Sequence, residues 1–155
     1  MFLTVHAAGA IVVSQFTTNP LLAFLVGMIS HLVLDLLPHG DQVLIENKSF
    51  PNKSEVLKIK KLAATDVIAM FIVLSLLYRF GFLPLSLVIF MAVFGSILPD
   101  FITGVYILKK FRWLKSYVDF KIWLHYVFNN FTVSLKTGLI IQLIFLIGFL
   151  LLIIF

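Results

Sequence analysis

Ser30-His31-Leu32-Val33-Leu34-Asp35-Leu36-Leu37-Pro38-His39-Gly40-Asp41 is an apolar helix end that carries four ionisable side chains. Inside a helix, His31 and Asp35 are four residues apart and stack on one face, roughly 6 Å from each other. Pro38 has no N–H and clashes with the preceding turn, so the helix should end near Leu36 or Leu37. His39 and Asp41 then follow the helix and can turn back toward the pair. Two imidazoles and two carboxylates within these residues form an N/O ligand set suited to zinc, manganese or iron. The alternative reading is polar capping of a helix end with water contact.

The rest of the chain puts this helix in a membrane. Of 155 residues, 61% are hydrophobic and 12% charged, and the mean hydropathy is +1.11. Soluble domains are nearer half apolar and a quarter charged. The composition predicts one small all-α domain over residues 1–155, a polytopic transmembrane bundle of five to six helices. There is no cysteine, which excludes disulfides and thiolate metal sites. The net charge of +5 fits loop topology and anionic lipid head groups. The N-terminus lacks the basic stretch of a signal peptide, so the first helix reads as retained.

Leu3 to Phe16 is a short apolar helix in which His6, Gly9, Ala10 and Val13 share a small face. Thr17 to Pro20 is a turn, and Pro20 suits the first position of a second helix over Leu21–Leu37. Residues 39–61 are expected to form a lysine-rich cytoplasmic loop, within which Val56–Lys61 could be an interfacial turn of helix. Leu62–Tyr78 is a third span with Asp66 near its start. Pro84 opens a fourth that runs to about Leu108, and Ser96, Asp100, Thr103 and Gly104 share one of its faces. Lys109, Lys110, Arg112 and Lys115 follow, interleaved with Phe111, Trp113 and Tyr117. Directly after a span, that mixture marks the membrane surface and not nucleic acid. Asp119–Asn130 is a polar helix that aligns Lys121, His125 and Asn129; whether it crosses the bilayer is open. Gly138–Phe155 is a last apolar helix, just long enough to span.

Counting spans brings the polar residues to one side. With the N-terminus on that side, His39 and the lysine-rich loop return to it, as does Lys109. The opposite side receives only the turns at Thr17–Pro20 and Arg79–Leu83. The positive-inside rule makes the basic side the cytoplasm. His6, His31, Asp35, His39, Asp66, Asp100 and His125 all fall in this cytoplasmic layer, although they come from five segments.

A buried aspartate costs roughly 2.5–3.5 kcal/mol at mid-bilayer, so Asp35, Asp66 and Asp100 together approach about 10 kcal/mol if unpaired. Few cationic side chains look to be in reach, which favours a bound divalent ion. Each candidate ligand also has a plainer reading. His6 could be a packing histidine, and Asp66 a partner for the dipole of the third span. Asp100 could bind backbone groups freed by Pro99, and His125 could pair with Asp119 or lipid phosphate. A transport relay would need polar residues through to the far side, where only Ser14, Gln15, Ser75, Ser86 and Gln142 are found. An assembly subunit without chemistry is the third possibility.

Gly27-x-x-Ser30-His31-x-x-x-Asp35-x-x-Pro38 resembles the Gly-x-x-Ser-His-x-x-x-Asp segment of the membrane-bound metal-dependent hydrolases of bacterial inner membranes. Leu98-Pro99-Asp100 is similar to that family's Leu-Pro-Asp motif, and His6 to its N-terminal histidine. Here Leu-Pro-Asp follows the Ser-His segment instead of preceding it, and Leu124 replaces the threonine of the family's Thr-His. A remoter similarity links the chain to the zinc-dependent phospholipase C superfamily. The resemblance implies a divalent metal, zinc first with manganese or iron as alternatives, and hydrolysis of a lipid-linked or small phosphoester at the cytoplasmic face of the inner membrane. The assigned ligands are His31, Asp35, Asp100 and His6, then His39, Asp66 and His125. Asp41, at the watery mouth, is the expected general base.

Overall fold

Apolar runs interrupted by proline, asparagine and glycine fold into helices, with no strand among the described residues. A computed structural model describes residues 1–40, 53–109, 111–128 and 133–155, with only the backbone described at 53–56, 59, 107–108, 122 and 125–128. The helices are α1 (Leu3–Ser14), α2 (Pro20–Asp35), α3 (Lys53–Arg79), α4 (Leu87–Lys109), α5 (Lys115–Phe128) and α6 (Leu135–Ile154), with a 3-10 turn at Arg112–Leu114 leading into α5. Local chemistry sets several boundaries. The Asn19 side chain accepts from the N–H groups of Leu21 and Leu22 at 2.9 and 3.3 Å, with Pro20 in the first helical turn, satisfying donors that a helix start leaves free. At the other end, α2 stops at Asp35 with Leu36 as its cap, just ahead of Pro38.

The shortest helix is the central one. Every residue of α1 from Thr4 to Ile11 is buried, and α1 packs on α2, α3, α4 and α6. The most extensive pairing in the bundle is α2 on α4, and small residues make it close. A methyl added at Gly27 would collide with the Ala92 carbonyl oxygen, and one at Gly95 with that of Phe24. Ala10, Ala23 and Ala92, each wholly buried, fill the place where α1 meets the pair. Apolar side chains gain nothing by leaving lipid for one another, so backbone approach through small residues is how such helices associate.

Three stretches are long and apolar enough to cross a membrane: Lys60–Arg79, Leu87–Tyr106 and Leu135–Ile154. Outward-facing side chains on all three are greasy, among them Phe71, Phe90, Phe101 and Ile144, each more than 60% exposed. Exposed apolar surface on this scale is a lipid-facing surface, and the chain is a membrane protein. The expected all-α bundle of five to six helices is present, as six α-helices among the described residues, and they differ in length. With 12 and 16 residues, α1 and α2 are about 18 and 24 Å long at 1.5 Å per residue, short of a ~30 Å hydrocarbon core. The α1 helix is buried along most of its length, whereas α2 buries one face and leaves Leu21, Leu25, Ile29 and Val33 exposed on the other.

The contacts of α6 decide the path of the chain. Gly138, in its first turn, lies directly against His39 and Gly40, while Leu150, Ile153 and Ile154 pack with Ile11, Leu77 and Leu83 at the other end. Thus α6 starts beside the end of α2 and finishes beside the connection from α3 to α4. Helix α5, lying between α4 and α6, does not cross. It stays at the end of the bundle that holds Asp35 and Asp100, with Trp113 and Trp123 exposed.

Candidate metal centre

At that end, four helices converge on one polar group. The rings of His6 from α1 and His31 from α2 stack with centroids 4.0 Å apart and planes inclined by 28°. Asp35, one helical turn after His31, brings one carboxylate oxygen to 3.2 Å from His6 Nε2 and the other to 3.2 Å from His31 Nε2. From α4, Asp100 Oδ1 lies 3.7 Å from His31 Nε2. Ligand atoms of His6, His31 and Asp100 all lie within 4.8 Å of one another, the spacing of a group able to hold a metal ion. Both histidines are fully buried.

Two cations neutralise the carboxylates. The N-terminal ammonium of Met1 donates to Asp35 Oδ1 at 2.8 Å. Lys121, from α5, donates to Asp100 Oδ1 at 2.6 Å and approaches Asp35 Oδ2 at 3.3 Å and His31 Nε2 at 3.2 Å. Burial works against the charge of Lys121, but Asp100 and then Asp35 more than offset it, holding the ammonium above the ordinary lysine range. The expectation that few cations are in reach is therefore corrected. Spacing along the chain aligns Lys121 with His125 and Asn129 on one face of α5 but does not specify that this face folds over the bundle.

The imidazoles are left incompletely matched. Among the described residues, neither nitrogen of His6 nor Nδ1 of His31 has a hydrogen-bond partner, because the 3.2 Å approach of His6 Nε2 to Asp35 is not aligned as a hydrogen bond. His31 Nε2 meets a donor-only ammonium and an acceptor-only carboxylate at equal distance. A neutral ring nitrogen is either donor or acceptor, so one of these contacts is mismatched whichever tautomer is present. Buried imidazole nitrogens without partners are costly in a protein interior, and their lone pairs are the atoms a divalent cation binds. Two nitrogens and a carboxylate oxygen make a donor set that could hold a metal ion.

The other expected ligands lie elsewhere. The Asp66 carboxylate faces the start of α1, accepting from Leu3 N at 2.5 Å, Thr4 N at 3.3 Å and the Thr4 hydroxyl at 2.6 Å. It is a helix N-terminus partner, but of α1 and not of its own helix. His39 belongs to the junction of α2 and α6: its Nδ1 is 2.6 Å from the Leu37 carbonyl oxygen, and its own carbonyl accepts from Gln142 Nε2 at 2.8 Å. Gln142 also accepts from Phe2 N at 2.7 Å, so it is spent at this end of the bundle and does not extend a polar path to the far side. Asp119 pairs with Lys115 at 2.6 Å. Asp41 and the side chain of His125 lie outside the described residues. No protein-family model, curated protein or solved structure matches the chain, and the chemical reading rests on these residues themselves.

Proposed function

We propose that this chain is an integral membrane metal-dependent hydrolase acting on a phosphoester, lipid-linked or small, at the cytoplasmic face of the inner membrane. One observation carries the reading: His6, His31 and Asp100 place ligand atoms within 4.8 Å of each other while their buried imidazole nitrogens, Nδ1 and Nε2 of His6 and Nδ1 of His31, lack hydrogen-bond partners among the described residues. His6, His31 and Asp100 would hold the ion, and Asp35 would hold both imidazoles in orientation. Bound there, a divalent cation supplies Lewis acidity and an acidified water. Asp41, which follows α2 shortly in sequence, is the residue proposed to accept the proton. Among the described residues, Lys58, Lys60, Lys61, Lys109, Arg112 and Lys115 belong to the site end, with Arg79 at the opposite end; this asymmetry supports a cytoplasmic site and attracts anionic head groups to it. The resemblance to membrane-bound metal-dependent hydrolases points the same way.

A second reading is favoured by the 2.6 Å contact between Lys121 and Asp100: a closed knot of ion pairs that ties four helices together without chemistry. Metal analysis by mass spectrometry on the detergent-purified chain separates the two. The metal reading expects about one divalent ion per chain, lost in Asp100→Asn and in the Asp35→Ala/Asp100→Ala double variant. Absence of metal from the wild-type chain, or stoichiometric metal in the double variant, overturns it. Metal-dependent release of phosphate from a panel of lipid and small phosphoesters then tests the activity.

A further inference from the structure

Lys121 stands where an ion would. Its ammonium touches Asp100 at 2.6 Å and His31 Nε2 at 3.2 Å, two of the three candidate ligands, and reaches Asp35 at 3.3 Å. An ammonium has donors only, so at His31 it lies against the lone pair that a metal would use, while Asp35 calls for an N–H at the same atom. The lysine meets the carboxylates and His31 Nε2, and leaves His31 Nδ1 and both nitrogens of His6 without a hydrogen-bond partner among the described residues. A divalent ion would meet both sets of groups.

The element that delivers Lys121 is lightly held. Helix α5 has 14 residues, follows a 3-10 turn, and among the described residues packs chiefly on that turn and on α4, besides the polar contacts of Lys121 with α2. Leu114 and Val118 are its buried apolar anchors among the described residues. Its outer side presents Trp113, Phe120 and Trp123, each more than half exposed, a set of rings suited to the head-group layer. Such a helix can move outward in the interface without opening the rest of the bundle.

We infer that Lys121 is a built-in cation that keeps the centre closed, and that a divalent ion binds by displacing it and shifting α5 away from the end of the bundle. This rests on the metal reading above. The exchange raises the local charge by one: the Lys121 charge leaves, a dication takes its place with imidazoles as added ligands, and the Met1 ammonium stays on Asp35. The freed ammonium then faces the interface.

The test is a titration of the purified full-length chain in detergent with cobalt(II), a zinc substitute whose visible absorption reports nitrogen and oxygen coordination. Wild type, Lys121→Met and Lys121→Arg are compared. The chain has two tryptophans, Trp113 in the 3-10 turn that leads into α5 and Trp123 in α5 two residues after Lys121, so intrinsic fluorescence reports on this end of the molecule. Lys121→Met should bind cobalt at least about tenfold more tightly than wild type, and Lys121→Arg no more tightly. Cobalt should change the tryptophan emission of wild type in step with absorption. Equal affinity in wild type and Lys121→Met, or cobalt binding to wild type without a fluorescence change, overturns the displacement while leaving the metal centre standing. Cobalt absorption in none of the three overturns the metal centre and the displacement with it. If Lys121→Met does not fold, the wild-type fluorescence decides.

Discussion

Asp66 is a buried carboxylate on one helix that serves the first turn of another. The α1 helix begins after Phe2, which has no side-chain oxygen to cap it, and the Leu3 and Thr4 amides would otherwise be unpaired in an apolar setting. Asp66 receives both, together with the Thr4 hydroxyl. Its negative charge also lies where the helix dipole favours it. Replacing it with alanine should lower stability by about 1–2 kcal/mol, read as a lower thermal midpoint in detergent. Asparagine should fall between, since its amide oxygen still accepts. Neither change should alter cobalt affinity; loss of metal in Asp66→Asn would return Asp66 to the ligand set. His31 presents the reverse situation. No single tautomer suits both Lys121 and Asp35 at its Nε2, and that mismatch is what singles it out from an ordinary packing histidine.

At the scale of elements, the crossing of α2 on α4 places His31 and Asp35 against Asp100. The crossing depends on Gly27 and Gly95, where a methyl would strike the carbonyl oxygen of the facing helix. Backbone cannot move aside as a side-chain tip can, so Gly27→Ala and Gly95→Ala should each destabilise the chain by roughly 1–3 kcal/mol. They should also weaken metal binding by separating Asp100 from His31. Gly148→Ala is the control, because nothing lies within 4 Å of a methyl there and alanine is the better helix former by about 1 kcal/mol. Thermal unfolding and cobalt titration of the three variants check this; if Gly27→Ala behaves like Gly148→Ala, the close crossing is wrong.

For the whole molecule, the decisive feature is that α5 does not cross. The C-terminal end of α6 therefore lies at the face opposite the polar centre, beside the connection from α3 to α4. The native chain has no cysteine, so single cysteines can be placed without clearing a background. Ser116→Cys should react with an impermeant thiol reagent from the site face. Ser86→Cys and Phe155→Cys should react from the other face. Labelling of Ser116→Cys and Phe155→Cys from the same side would show that α5 spans and would dismantle the assembly of the centre.

How much of this was legible in the residues divides along physical lines. Apolar runs, the Asn19-Pro20 start, the stop before Pro38 and the aromatic belt around Trp113 are local: hydrophobic length, ring constraints and capping act within a few residues, so the order alone determined a helical membrane protein and the ends of α2. The meeting of His6, His31, Asp35 and Asp100 followed from counting spans, because depth is preserved when helices lie side by side. Two things depended on the folded bundle. Asp66 and His39 share that depth with the centre yet face other neighbours, since depth does not specify direction around a helix axis. Lys121 reached Asp100 because α5 folds back over the end of the bundle, and which charges pair across such a fold is set by tertiary packing that no spacing along the chain encodes.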